Sequence, residues 1–594
     1  MNRGEPVYFG TDPSFPGDRP LFGWVHRASS PARLGLLVCN AFGFEAVSAH
    51  RSMRRFAEEA SAAGFPSLRF DYDGTGDSAG HDGDPARLAA WVASVHQAVV
   101  ALRSLGGVER VAILGVRLGA LLATLAATAR DDIDGLVAIA PVVTGKTHLR
   151  ELRALQMALG LREPPVGAVV DKDLQETVGF FINAETRAAL EQVDLAKLDK
   201  PPAAAVLLLE RDDLPGNDAW PNRLASQGVN VERRRLPGYV EMMLGPEPAQ
   251  VPEAMVRATV DWLRARSAQY VPTKHGSGAA RALRARVSSG VVESAELIGD
   301  AGRLFGVFST PESPPPARRG LLLLNAGAVH RIGPSRLHVA LARRWAALGH
   351  AVLRMDVAGI GDSLPLAAEP ENVVYTASAS DDVAQAVAFL RRQPGVTEVH
   401  ALGLCSGGYN AFKAAVAGVP LDGVLLINPL VFFFEPNGPL DKAAHEVTFN
   451  SYARHALSLD VWKRLLRGEV DVAGKSKVMA RRFAILGRGR ARDLARRVGL
   501  PIAHDLALEL ETVARKNIAL RFLFASGDPG IALLQTQGGA MVQKLQRSGQ
   551  LSMEVINGPD HTFTPLWSQV ALTAALGAHF DGRPSRESDH RDKR

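Results

Sequence analysis

The chain has 594 residues, of which 46 % are hydrophobic and 22 % charged, and a formal net charge of +6. That length predicts roughly two to four domains, and the composition is that of an ordinary globular protein rather than a disordered or collagen-like one. Basic residues are interleaved with acidic ones, which argues against a nucleic-acid binder, and two cysteines, Cys39 and Cys405, far apart in different halves argue for a reducing compartment with no disulfide framework and no thiolate metal site.

The opening Met1-Asn2-Arg3-Gly4-Glu5-Pro6 lacks a basic segment followed by an apolar one. No uncharged apolar run approaches the roughly 20 residues a membrane helix needs, so a cytoplasmic protein without membrane insertion is expected.

In chain order, the first strong signal is a segment that returns. Gly35-Leu36-Leu37-Val38-Cys39-Asn40-Ala41 recurs as Gly320-Leu321-Leu322-Leu323-Leu324-Asn325-Ala326. Leu68-Arg69-Phe70-Asp71 with Gly74-Thr75-Gly76-Asp77-Ser78 recurs as Leu353-Arg354-Met355-Asp356 with Gly359-Ile360-Gly361-Asp362-Ser363. The blocks align without a gap over about 44 residues, with about a third identical. The chain therefore reads as two copies of one fold. The expected domains are residues 1–267, a linker over 268–289 containing Thr273-Lys274-His275-Gly276-Ser277-Gly278, a second copy over 290–581, and a polar, disordered tail over 582–594.

Each copy alternates short apolar runs with helix-period segments, the pattern of an α/β fold with a mostly parallel sheet covered by helices on both faces. In the second copy strands are expected near Arg303 to Thr310, Gly320 to Leu324, Ala351 to Met355, His400 to Leu404, Gly423 to Ile427, Ala519 to Phe524 and Met553 to Ile556. Between the fifth and sixth of these lies an insertion of about 90 residues, where about 2 to 6 would suffice. It is read as a helical cap over about 431–518, and the first copy has a shorter insertion from Val142 to Lys200.

The cap opens on Leu430-Val431-Phe432-Phe433-Phe434, where Phe432 and Phe433 are candidates to line an acyl pocket or to pack the cap onto the core. Its basic run from Lys475 through Arg497 is either a solvated helix face or a docking site for a phosphate-bearing substrate arm or a carrier protein.

Chemistry concentrates at Gly403-Leu404-Cys405-Ser406-Gly407-Gly408, between the apolar run Val399-His400-Ala401-Leu402 and a helix-like segment. This has the form of a nucleophile elbow, in which a sharp strand-to-helix turn strains the central residue and flanking glycines admit close backbone approach. The nucleophile is then Cys405. A base and an orienting acid are expected after later strands, because an imidazole serves as a general base when a carboxylate sets its tautomer. His561 and Asp528 occupy those places, with Asp560 as a reserve acid. Oxyanion donors are expected at the N–H of Ser406 and of Ala326 or Gly327. His330 and Arg331 follow closely, either facing the pocket to hold a carboxylate or phosphate or capping the next helix.

The first copy serves as a control. Its elbow reads Gly115-Val116-Arg117-Leu118-Gly119, with arginine at the nucleophile position, and Glu241 aligns with His561 while Asp212 or Asp213 answers Asp528. His330 and Arg331 align with Glu45 and Ala46. This copy is read as keeping the fold without the chemistry.

Strand, nucleophile turn, helix, then two strands followed by acid and base is the order of the α/β-hydrolase superfamily, which the chain resembles along nearly its whole length. The cysteine elbow is similar to those of the dienelactone hydrolases and the polyhydroxyalkanoate synthases. That resemblance implies an acyl-cysteine intermediate formed from an activated ester, lactone or thioester, the acyl group being carried on coenzyme A or an acyl carrier protein. No cofactor or metal is called for. Hydrolysis and acyl transfer are both open, as is a non-catalytic binding or scaffold protein built from two hydrolase-like domains.

Overall fold

The computed structural model describes residues 4–10, 19–30, 32–159, 164, 173–268, 270, 282–316, 318–367, 369–434 and 504–581. Three sequence expectations fall outside them: the Thr273 to Gly278 linker, the body of the cap with its Lys475 to Arg497 basic run, and the tail from 582. The chain divides into two compact units, one reaching to Ala295 and the other running on from Glu296.

The first unit contains strands β1 (Glu5–Phe9), β2 (Leu21–His26), β3 (Leu34–Cys39), β4 (Ser67–Phe70), β5 (Arg110–Val116), β6 (Ile133–Ile139), β7 (Gln175–Thr177), β8 (Phe180–Ile182), β9 (Ala205–Arg211) and β10 (Asn230–Leu236). Eight of them form one sheet in the order β1-β2-β4-β3-β5-β6-β9-β10, while β7 and β8 make a separate hairpin. β2 runs antiparallel to both its neighbours, and from β4 to β10 every pair is parallel. The insertion after β6 holds the helices Gly145–Ala158 and Ala184–Glu191 as well as the hairpin.

The second sheet uses β11 (Arg284–Ser288), β12 (Val291–Ile298), β13 (Leu304–Pro311), β14 (Arg318–Leu324), β15 (Ala351–Asp356), β16 (Val396–Leu404), β17 (Gly423–Ile427), β18 (Ala519–Ala525) and β19 (Leu551–Ile556). Their order is β11-β12-β13-β15-β14-β16-β17-β18-β19. With β11 set aside, the two sheets follow the same path, and this is the α/β-hydrolase fold. β11 corrects one expectation, because Arg284–Ser288 falls inside the stretch assigned to linker yet pairs with β12.

The apolar runs are continuous because both faces of the sheet are covered, which parallel strands require. Along β14, Leu322 and Leu324 enter one core cluster while Leu321 and Leu323 enter the other. Along β17, Val424 and Leu426 face the first and Leu425 and Ile427 the second. The same alternation puts Leu37 and Cys39 of β3 on one side of the first sheet and Leu36 and Val38 on the other.

Among the described residues one helix, Arg87–Gly106, is long and apolar enough by length and composition to cross a membrane. Its Trp91, Val95, Ala98, Leu102 and Leu105 lie in the first unit's core cluster, which accounts for that apolarity.

The two units share a buried polar framework. In the first, the Asp77 N–H donates to Asp71 Oδ2 at 2.9 Å and the Phe22 N–H to Ser78 Oγ at 2.8 Å. In the second, the Asp362 N–H donates to Asp356 Oδ2 at 3.1 Å and the Phe305 N–H to Ser363 Oγ at 2.8 Å. These repeated aspartates and serines tie the turn after β4 or β15 to the antiparallel strand beside it.

Candidate active site

β16 ends at Leu404, and the helix Ser406–Ala417 begins at once. Cys405 between them has φ 56° and ψ −115°, a conformation non-glycine residues adopt rarely and at a cost. The glycines permit the turn, since a Cβ at Gly403 would lie 2.0 Å from the Gly407 carbonyl carbon and one at Gly407 would lie 2.6 Å from the Asn325 oxygen. In the first unit Arg117 takes the same backbone, φ 54° and ψ −121°.

The loops after β18 and β19 bring Asp528 and His561 together. His561 Nδ1 lies 2.7 Å from Asp528 Oδ2, and Asp528 Oδ1 accepts the Gly530 N–H at 2.8 Å, so this carboxylate caps a helix while it orients the ring. With Nδ1–H donated to Asp528, Nε2 is the nitrogen left to take a proton. That Nε2 is buried and has no well-aligned hydrogen bond among the described residues, yet the Cys405 thiol is near enough to act on the ring through both charge and hydrogen bond. Long or bent contacts between nucleophile and base are common before substrate binds. Burial alone pushes the His561 imidazole down, and the Cys405 charge, the Asp528 hydrogen bond and the Cys405 hydrogen bond outweigh it, raising it to about 10.

The other titratable candidates are accounted for elsewhere. Asp560 turns to its own loop, its Oδ1 accepting the Thr564 N–H at 2.7 Å and its Oδ2 the Thr564 hydroxyl at 2.6 Å. Cys39 lies wholly inside β3, where burial pushes its thiol up to about 12. Among the described residues no group of three or more His, Cys, Asp or Glu is placed to hold a metal ion.

The loop expected to supply oxyanion donors differs from expectation in one respect. The Gly327 N–H donates to Ser406 Oγ at 2.9 Å, so this amide is engaged, and the donors without an acceptor among the described residues are the N–H groups of Ala326 and Ser406. Ser406 adds a second anchor, its hydroxyl lying 3.4 Å from the Asn325 carbonyl. The first unit has Leu118 and Phe42 at the corresponding positions and has no such tie.

Arg331 is a correction. It is not directed at a ligand; its Nη1 bridges Asp356 Oδ2 at 2.9 Å and Asp362 Oδ2 at 2.8 Å, and its guanidinium lies 4.3 Å from the centroid of the Phe305 ring. Two carboxylates buried side by side need a cation, and burial pushes Asp356 up while Arg331 pulls it down. His330 is also buried.

Of the two roles open to Phe432, the structure supports packing and not the acyl pocket. It is a core residue, 5.8 Å from the Phe412 ring and 6.3 Å from that of Phe522. Phe433 packs on the same cluster, stacks on His504 at 4.8 Å and receives the Lys413 ammonium at 4.1 Å. Cys405 shares its core cluster with Leu430, Val431 and Phe563, and Tyr375 and Tyr409 pack against that cluster. Tyr375 stacks on Phe434 at 4.6 Å and meets Tyr409 edge-on at 5.1 Å.

Asn428 was not anticipated. It follows β17 with φ 44°, donates from Nδ2 to the His561 carbonyl at 2.6 Å and accepts the Ala525 N–H at 2.8 Å. It thereby joins the acid and base loops. The available signal was the paired comparison, because the first unit has Ala140 there with φ 43°.

In the first unit Glu241 is exposed, whereas Tyr239, two residues earlier, is buried close enough to Arg117 to feel its charge. Asp212 and Asp213 are exposed, and Asp213 pairs with Arg211 at 2.7 Å. Arg117 donates to Glu45 at 2.9 Å and also pairs with Glu151.

The serine aminopeptidase, S33, family matches residues 46–205, a segment whose elbow carries Arg117. No curated protein matches the chain. Among solved structures the chain is similar to Est1E from Butyrivibrio proteoclasticus, with 19 % identity over 44 % of this chain and 99 % of that one and a TM-score of 0.32. It is also similar to the proline iminopeptidase of Mycobacterium smegmatis, at 14 % identity, 45 % and 98 % coverage and a TM-score of 0.31. The α/β hydrolase GrgF from Penicillium sp. sh18 is similar at 16 % identity, 45 % and 99 % coverage and a TM-score of 0.31.

Proposed function

We propose that the second unit is an acyl hydrolase or acyltransferase working through a covalent acyl-cysteine on an activated ester or thioester, such as an acyl group on coenzyme A or an acyl carrier protein. The observation that carries this reading is Cys405 on a strained elbow beside an imidazole whose far nitrogen is held 2.7 Å from a buried carboxylate.

In this mechanism His561 Nε2 takes the thiol proton and the sulfur attacks the acyl carbon. The Ala326 and Ser406 amides receive the negative oxygen at the N-terminus of the Ser406–Ala417 helix. Collapse expels the thiol or alcohol with the proton from His561, and water or another acceptor then releases the acyl group by the same steps. A cysteine suits thioesters because the exchange of thiol for thiol is nearly balanced in energy.

The test is intact-mass analysis of the full chain after mixing with acetyl, butyryl and octanoyl thioesters of a small thiol. One acyl adduct on the peptide holding Cys405 is expected. No adduct with any of them would overturn the reading.

Ser406 should act on turnover without touching the sulfur. Ser406→Ala frees the Gly327 N–H and loosens the oxyanion loop, and kcat is expected to fall about 10- to 100-fold with little change in KM. Alkylation of Cys405 by iodoacetamide should proceed at the wild-type rate, and an unchanged kcat would contradict the positioning role.

The raised His561 pKa has a stability consequence. A base raised in the folded state stabilises fully below its ordinary value of 6.5, and the contribution is lost as pH rises through about 10. Since the Cys405 charge is a main source of the rise, the denaturant midpoint of the wild type should lose ground to that of Cys405→Ala between these limits.

In this reading the two units descend from one duplicated fold, and the first has become non-catalytic, with Arg117 at the elbow. A second reading, in which both units only bind partners, draws on that same arginine. Turnover abolished by Cys405→Ala alone would separate the two.

A further inference from the structure

In the first unit a cavity of about 260 Å³ opens at the carboxyl ends of β5, β6 and β9. Its wall includes Arg117, His148, Glu151, Leu214 and Trp220. In sheets of this kind that edge is where ligands bind.

The charges on the wall are already matched. Arg117 is held by Glu45 and Glu151, Arg211 by Asp213, and Glu210 accepts from Arg233 at 2.7 Å. A charged ligand would therefore enter without a counter-ion, which is costly in a desolvated site. Two neutral groups are left over. Trp220 Nε1 and His148 Nδ1 have no hydrogen-bond partner among the described residues, although Trp220 is 1 % and His148 2 % exposed. Burial, with the nearby Arg117 charge, pushes His148 down to about 3, so its ring is neutral at ordinary pH. Buried polar groups normally find partners, and an unpartnered one on a cavity wall is available to a ligand or an ordered water there.

We propose that this cavity is a binding site for a small uncharged molecule with an apolar body and an amide or ester group. Its carbonyl oxygen accepts from the Trp220 indole N–H, and an amide N–H has His148 Nδ1 as its acceptor. The volume lies below that of pockets for drug-sized ligands, which limits the occupant to a few carbons beyond the polar group. The site is independent of Cys405 and of the acyl chemistry.

The test is saturation-transfer NMR on the full chain with butyramide and benzamide as probes and butyrate and benzoate as charged counterparts of the same shape. The amides are expected to bind in the millimolar range and the carboxylates at least about tenfold more weakly. Leu214 is 50 % exposed on the loop over the cavity, so Leu214→Trp should fill it without disturbing the core and abolish the amide signals. Trp220→Phe keeps the ring but removes the donor and should weaken binding about five- to tenfold. Absence of amide binding to the wild type, equal binding of the carboxylates, or signals that survive Leu214→Trp would each overturn the proposal.

Discussion

Cys405→Ala is expected to abolish acyl-adduct formation and to lower thioester turnover by about 10⁴-fold or more, because no other group can take over the covalent step. The only other cysteine is Cys39, buried in β3 with its thiol pushed up to about 12. Cys405→Ser tests the same point more finely. A serine hydroxyl keeps the geometry but presents no thiolate to the imidazole, so His561 loses two of the influences that raise it. A loss of about 10³-fold is expected for serine, with residual activity that depends on Asp528. Release of free thiol from an acyl thioester, followed spectrophotometrically, measures both variants. Turnover of Cys405→Ala within about twofold of wild type would end the covalent reading and leave the binding one.

Arg331→Met is expected to destabilise the protein by about 3–5 kcal/mol, read from urea or guanidinium unfolding, because it strips the shared cation from Asp356 and Asp362 inside the core. The loss should depend on pH with a definite sign. Burial already pushes Asp356 up, and without Arg331 it rises further. A carboxyl raised in the folded state costs stability increasingly as pH rises, so the deficit should be smaller near about pH 5 than near about pH 8. A substrate-holding arginine would instead raise KM and leave the unfolding midpoint in place. That outcome would reverse the structural role assigned to Arg331.

The elbow was legible because its constraints are local. Gly403 and Gly407 are required by contacts within the turn and with the adjoining strand, and the spacing of two residues on either side of Cys405 expresses that directly. The strands were legible for a similar reason, since a parallel sheet covered on both faces needs unbroken apolar runs. The repeat located the copies, and its differences pointed to Cys405, His561, His330 and Arg331.

Arg331 was misread because its partners lie 25 and 31 residues away, and nothing in the segment around it reveals them. The two roles of Phe432 stayed open in the sequence because a run of five apolar residues does not say where the chain turns. Leu430 and Val431 fall on the Cys405 side of the sheet, and Phe432 falls on the other. Glu241 aligned with His561 by count, but the helix Tyr239–Met242 begins immediately after Gly238 and buries Tyr239 instead.

By itself, then, the sequence determined the α/β class, the paired pattern of elements and the place of the strained elbow at Cys405, all of which follow from periodicity and short-range backbone sterics. Only the tertiary structure decided that Asn428 joins the loops carrying Asp528 and His561, and that Arg331 belongs to the core. Those choices depend on which side chains meet across separate strands, and that is settled by burial and by the pairing of buried charge rather than by the spacing of residues along the chain.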